Sequence, residues 1–354
     1  MAGFAAALAA ASSGARVTLV HAAPGTTALM AGAWCGPLRE ELRSALAHAG
    51  SPFVTSRQPL PHPAGTLVPC DHAAAAHVSA APIEESLVCG IAGLPGFHAP
   101  ALARLWARTG DSPRHATIAL DHTPAAGWSP VSLAAMLERD PSALCRALDA
   151  VAGDATYLVL PAVLGMADGE AVRSRLATAA GVPVAEALGV APSLPGWRLH
   201  RSIARALESA GIDMHHGRAA LARSTSDRFD ALRVTGDGGE ITIDARACVL
   251  ATGKFAGGGV AAEQRFVEPV LGLSVTVERF GRTFEDVEPI ALTDPDANDA
   301  QPLLLAGVDP GVVPFTNVHI AGTVRAGIDA STWRIGDVAE DGWRAGTAAA
   351  GAAA

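Results

Sequence analysis

Apolar positions in this chain fall into short runs separated by stretches with helical spacing. The opening segment, 3–12, is alanine-rich with Phe4 and Leu8 four apart, which predicts a helix stopped by Ser13-Gly14. A buried strand at 15–20 (ARVTLV) should follow. Prolines, glycines and histidines crowd 50–69, which reads as loop. A β/α rhythm then sets in: strand 85–93 (ESLVCGIAG), helix 99–108, strand 116–120, one long helix over 130–151, strand 157–161 (YLVLP) and helix 168–180. Helix 197–210 buries Leu199, Ile203, Ala206 and Leu207 on one face, and a strand follows the turn at 211–213. Strands 231–235 and 240–244 flank Asp237-Gly238-Gly239, a hairpin signal. Two apolar strands stop at glycine, 247–251 before Thr252-Gly253 and 317–322 at Gly322, and 342–354 reads as a small-residue helix or a frayed tail.

Composition narrows the classes. With 49% hydrophobic and 17% charged residues over 354 positions, the chain can build a core, and its length suggests two lobes. The net charge is -9 with no basic stretch, which argues against nucleic acid. Five cysteines lie scattered without a C-x-x-C pair, so no zinc knuckle or disulfide scaffold is expected, and a reducing cytosol suits them. No apolar run reaches the roughly 18 residues that span a bilayer. The first residues lack the positive region of a signal peptide.

Two patterns carry chemistry. Met1-Ala2-Gly3 fits the final x-x-G of a G-x-G-x-x-G turn, and 4–20 fits the helix and second strand behind it. Such glycines admit a pyrophosphate to the backbone, and the helix N-terminus supplies N–H groups and positive dipole. The strand and first two glycines of that motif are absent from the sequence, as a start assigned downstream of the true one would leave it. An ordinary alanine-rich helix on a sheet satisfies the same residues. The second pattern is ACVLATG (247–253), a buried strand ending in small residues that let backbone pass close to a nucleotide. NVHIAG (317–322) is a strand of the same kind, with Thr323 next in line.

The runs LVCGIAGLPGF (87–97), LVLPAVLGMADG (158–169), ACVLATGKFAGGG (247–259), EPVLGL (268–273) and NVHIAGTVRAGID (317–329) resemble, in order, the B subunit family of anaerobic glycerol-3-phosphate dehydrogenase. EPVLGL and PAVLGMADG are the specific part of the likeness. The resemblance implies a doubly wound, Rossmann-like α/β domain of the FAD/NAD(P)-binding type, formed by 1–79 and 201–354, with an inserted α/β lobe at 80–200. It implies a flavin, FMN or FAD, and cofactor-binding positions at Ala2, Gly3, His21, Gly32, Thr252, Gly253, Gly322, Thr323 and Gly327. It also implies a partnership with a larger flavoprotein A subunit and an iron–sulfur, membrane-anchoring subunit. That complex oxidises sn-glycerol 3-phosphate to dihydroxyacetone phosphate and passes electrons towards quinone, at the inner face of the cell membrane.

Departures from the pattern matter. His21 stands where an acidic residue would hold an adenosine ribose, which suits FMN better than FAD. Thr323 stands where an aspartate often holds the ribityl chain, and 335–342 (IGDVAEDG) replaces a glycine-rich run. A flavoprotein-like subunit without cofactor, and a stand-alone FAD-dependent oxidoreductase of other substrate, are the alternative readings. Arg265 and Lys254, the only lysine in the chain, are candidates for a phosphate; a surface ion pair accounts equally well for Arg265, and a solvated turn lysine is the more ordinary account of Lys254. No metal site is expected, since His215-His216 point to opposite faces of a strand. No catalytic base is assigned.

Overall fold

A computed structural model describes residues 1–78, 81–107, 113–191, 193–262, 266–277, 282–283, 305–328 and 333–354. The chain is α/β and divides into two compact units. The first comprises Met1–Thr26, Pro37–Leu42 and Arg205–Ala354; the second comprises Thr27–Gly36 and Arg43–Ala204.

The second unit is built on a parallel sheet in the order Val184–Glu186, Tyr157–Leu160, Ser86–Ile91, Arg114–Ile118. The strands read as unbroken apolar runs because both faces are covered: every residue of Ser86–Ile91 and Tyr157–Leu160 is buried. Helices Ala99–Trp106, Pro130–Arg139, Ser142–Ala152 and Gly169–Ala180 connect them and share one core around Trp106, Leu133, Leu144, Leu158 and Leu176. The expected single helix over 130–151 is two helices. Pro141 has no N–H to give and forces its predecessor out of the helical region, so Asp140 is extended (φ -148, ψ 101).

This unit also begins earlier than the expected boundary at residue 80. The stretch 50–69, read as loop, carries the short strands Phe53–Thr55, Leu60–His62 and Thr66–Val68. Leu60 and Ala73 bury against Leu188, and Leu188 donates its N–H to the Pro61 carbonyl (2.8 Å), which binds this stretch to the parallel-sheet lobe.

A polar node lies inside the same unit. His77 is 2% exposed; its Nδ1 donates to the Glu186 carbonyl (3.1 Å), while its Nε2 is buried without a partner. Burial pushes its pKa down from 6.5, so the folded protein holds it neutral. Below about pH 6.5 the unfolded chain binds a proton that the folded one refuses, so stability falls with pH, by at most about 1.4 kcal/mol per unit for one histidine. Thermal melts from pH 7 to 5 should therefore decline less steeply for His77→Gln than for the wild type; parallel slopes would assign the acid sensitivity elsewhere.

The first unit holds two parallel strand pairs, Thr18–His21 with Asp213–His216 and Cys248–Leu250 with Val318–Ile320. It also holds an antiparallel sheet, Arg218–Ser224, Phe229–Gly236, Gly239–Asp244, whose hairpin turns at Asp237-Gly238 as expected. The tail expected at 342–354 belongs to a continuous helix, Ile335–Ala353, which packs along the opening helix Ala2–Ser12. A Cβ on Gly342 or Gly346 would collide with the carbonyl oxygens of Ala2 and Ala6 respectively. The small residues on both helices bring backbone against backbone.

Candidate functional site

The site in the first unit begins with that helix pair. Gly3 faces the strand end, its absent Cβ lying 3.6 Å from the Ala251 Cβ. Two residues on, Gly253 turns with φ +74, and a Cβ there would meet the Thr323 Oγ1 at 3.8 Å. Gly322 turns with φ +78 and faces the Ala2 Cβ at 2.8 Å. Ala2, Gly3, Ala251, Gly253, Gly322 and Thr323 thus close a circuit around the N-terminus of the opening helix. Only glycine adopts the left-handed turns at Gly253 and Gly322 without strain, and at Gly322 a Cβ would also crowd Ala2.

Two polar groups mark the circuit. The Thr252 Oγ1 is buried and has no hydrogen-bond partner in the protein. Lys254 is 8% exposed, and its Nζ donates to the Ile328 carbonyl (2.7 Å). That bond ties the loop after Cys248–Leu250 to the turn at Gly327, where φ is +75. Lys254 is therefore an internal tie rather than a solvated turn lysine.

Residues overlooked in the sequence hold this arrangement. Asp341, on the last helix, is 5% exposed and accepts the Gly322 N–H (2.8 Å) and Arg325 Nη1 (2.6 Å). Asn317 is 1% exposed, donates to the Phe229 and Arg246 carbonyls (2.7 Å each) and accepts the Phe229 N–H (2.9 Å). Glu268 opens EPVLGL, and its carboxylate accepts the N–H groups of Val270 (2.8 Å) and Leu271 (2.7 Å). Burial nevertheless pushes its pKa up. That motif is a self-capped turn. The signal for Asp341 lay in the run 335–342, whose polar residues become the start of a helix.

Other expected positions fall elsewhere. His21 ends its strand opposite His216, the rings 5.5 Å apart, and its backbone carbonyl accepts the Gly217 N–H (3.0 Å). Burial, and then His216, push its pKa down. Gly32 belongs to the second unit, where with φ +105 it leaves room for the His77 ring. Arg265 lies outside the described residues. No group of three or more His, Cys, Asp or Glu among the described residues could hold a metal ion. Burial pushes the Cys89 and Cys248 thiols up to about 12, which leaves them protonated and unreactive at neutral pH.

In the second unit PAVLGMADG wraps two carboxylates. The Leu164 N–H reaches Glu186 (2.5 Å), and those of Met166 (3.0 Å), Ala167 (3.1 Å) and Asp168 (3.0 Å) reach Glu138.

The chain is 28% identical over 321 residues to the probable anaerobic glycerol-3-phosphate dehydrogenase B subunit of Halobacterium salinarum, covering 82% of this chain and 73% of that protein. The chain is similar to the B subunit of anaerobic glycerol-3-phosphate dehydrogenase. The B subunit from Pectobacterium atrosepticum is 32% identical over 162 residues, 44% of this chain and 38% of its own length. The one from Yersinia enterocolitica is 29% identical over 185 residues, 49% and 41% of the two chains. The likeness read from the five runs is thereby borne out. No protein-family model matches the chain. Among solved structures, 3-ketosteroid-delta4-(5alpha)-dehydrogenase from Rhodococcus jostii RHA1 aligns over 99% of this chain and 94% of its own, at 12% identity and a TM-score of 0.35. So loose a likeness carries no argument, and the α/β fold stands on the chain's own parallel strands. No helix among the described residues is long and apolar enough to cross a membrane.

Proposed function

We propose that this chain is the flavin-binding subunit of a glycerol-3-phosphate dehydrogenase that oxidises sn-glycerol 3-phosphate to dihydroxyacetone phosphate and passes electrons towards quinone. The observation that carries this reading is the circuit of Gly3, Gly253 and Gly322. These three glycines come from distant parts of the sequence and meet at the N-terminus of one helix. The residues present fit a flavin nucleotide. Gly253 and Gly322 make left-handed turns that only glycine adopts without strain, and the Thr252 hydroxyl is a buried group still short of a partner.

When bound, the flavin supplies the two-electron redox chemistry. The chain's part is to position it. The opening helix directs the N–H groups of its first turn at a phosphate. The Thr252 hydroxyl donates or accepts one hydrogen bond, and Lys254 holds the 327–328 turn against the Gly253 loop. His21, paired with an imidazole instead of supplying a carboxylate, favours FMN over FAD. An A subunit and an iron–sulfur, membrane-anchoring subunit are the partners this reading calls for, at the inner face of the cell membrane. A cofactor-free structural subunit is the second reading. It is favoured by the Gly322 N–H, which Asp341 already occupies.

The visible spectrum of the purified protein tests both. Flavin bands, FMN on extraction, and bleaching by glycerol 3-phosphate when an A subunit is present are the expected results. A colourless protein that reconstitutes with neither FMN nor FAD would leave the structural reading.

A further inference from the structure

Two of the five cysteines, Cys35 and Cys70, are far apart in the sequence and neighbours in the second unit. Strand Ala33–Trp34 runs antiparallel to strand His72–Ala74, with Ala33 opposite Ala73 and Trp34 opposite His72. Continued without a break, that register would set Cys35 against Asp71. The hydrogen bonds show a break. Ala74 donates to the Gly32 carbonyl (3.1 Å) in register, but Asp71 donates its N–H to the Trp34 carbonyl (3.1 Å), one residue out of step. Asp71 is the extra residue of a β-bulge, and its carboxylate accepts the Gly36 N–H (2.7 Å). Beyond the bulge, Cys70 stands opposite Cys35.

The packing agrees. Strict alternation would put residue 70 on the face away from Ala73. Cys70 instead joins Ala33 in packing against the cluster of Leu60, Ala73 and Leu188. Cys35 follows Ala33 by two residues, which gives it the same face. Its sulfur lies 3.7 Å from the carbonyl oxygen of Pro69, the residue bonded to Cys70. Both thiols are half-buried. Burial pushes the Cys70 pKa up, and the Cys35 thiol adds to the rise. Residues directly opposite in an antiparallel pair have Cα atoms about 4.5–5.5 Å apart, inside the window of about 4.4–6.8 Å that a disulfide needs.

We propose that Cys35 and Cys70 form a reversible cross-strand disulfide, a modification site that responds to small-molecule disulfides of the glutathione class. The Cys35 thiolate attacks one sulfur of the small disulfide, whose S–S bond breaks. A mixed disulfide forms on Cys35 and one small thiolate leaves. The Cys70 thiolate then attacks the Cys35 sulfur and expels the second. The cysteines are oxidised by two electrons, the small disulfide is reduced to two thiols, and the two cysteine protons pass to the departing thiolates. The new bond staples Ala33–Trp34 to His72–Ala74. Nothing in this depends on a flavin.

The test equilibrates the full chain with oxidised glutathione at mildly alkaline pH, traps remaining thiols by alkylation and maps the unreduced peptides by mass spectrometry. One linked pair, Cys35 with Cys70, is expected, and dithiothreitol should open it. The linked chain should melt about 5 °C or more above the reduced one, because the bond closes a long loop. Cys70→Ser should stop at the mixed disulfide on Cys35, while Cys145→Ser should still close the pair. The wild-type map needs no variant, so a variant that fails to fold leaves the test standing. Recovery of Cys35 and Cys70 from folded protein as alkylated thiols or as separate glutathione adducts overturns the proposal, and so does a link from either one to another cysteine.

Discussion

Glu186→Ala is expected to destabilise the second unit by about 3–5 kcal/mol, the range for breaking a buried ion pair by removing one partner. The Glu186 side chain is fully buried, and its Oε2 sits 2.5 Å from Nη2 of Arg198, whose side chain is 11% exposed. The same carboxylate accepts the Leu164 N–H, and Arg198 donates through Nη1 to the Leu164 carbonyl (2.8 Å). Alanine would strand the guanidinium and leave the Leu164 N–H of PAVLGMADG without its acceptor. For a unit of this size the melting temperature should drop by about 6–20 °C. Glu186→Gln keeps the shape and should fall between wild type and alanine. Calorimetry giving the alanine variant a loss under about 1 kcal/mol would reassign this pair to the class of weak surface bridges.

The second large effect concerns the paired helices of the first unit. Gly346→Val and Gly342→Val should each cost about 1–3 kcal/mol, because the added atoms meet backbone of the opening helix, which cannot rotate away. Gly342→Val should also disturb the Gly322 turn, since it sits next to Asp341 and would move the carboxylate that holds the Gly322 N–H. The control lies in the same helix. A Cβ on Gly351 meets nothing within 4 Å, so Gly351→Ala should be neutral or stabilise by up to about 1 kcal/mol through helix propensity. Denaturation midpoints of the three variants decide it: if all behave alike, close helix contact is not what these glycines provide.

The motifs legible in the sequence divide by what they turned out to do. EPVLGL and PAVLGMADG carried the resemblance, and in the folded chain they satisfy the buried carboxylates of Glu268 and Glu186 and the half-buried one of Glu138. Glu268 reaches N–H groups of its own turn, a short-range partnership that could have been read. Glu186 and Glu138 find theirs across the sheet lobe, and no spacing announces that. The break at Pro141 was written in the chain, because a missing N–H acts on its immediate neighbours; the leucine periodicity on both sides concealed it.

What the sequence by itself determined is whatever rests on neighbours a few residues apart: the apolar strands that end in glycine, the hairpin at Asp237-Gly238, the alanine-rich opening helix, and the runs in which a likeness to the dehydrogenase B subunits was read. Steric limits on φ and the hydrophobic period act over that range, so they show in one dimension. Only the tertiary structure decided that His21 meets His216, that Gly322 lies on Ala2, that Asp341 takes the Gly322 N–H, and that Gly32 makes room for a histidine. Those outcomes depend on which surfaces fit closely enough to exclude water and match buried donors with acceptors. Such a match is a property of two surfaces brought together by the whole fold, and neither segment encodes it alone.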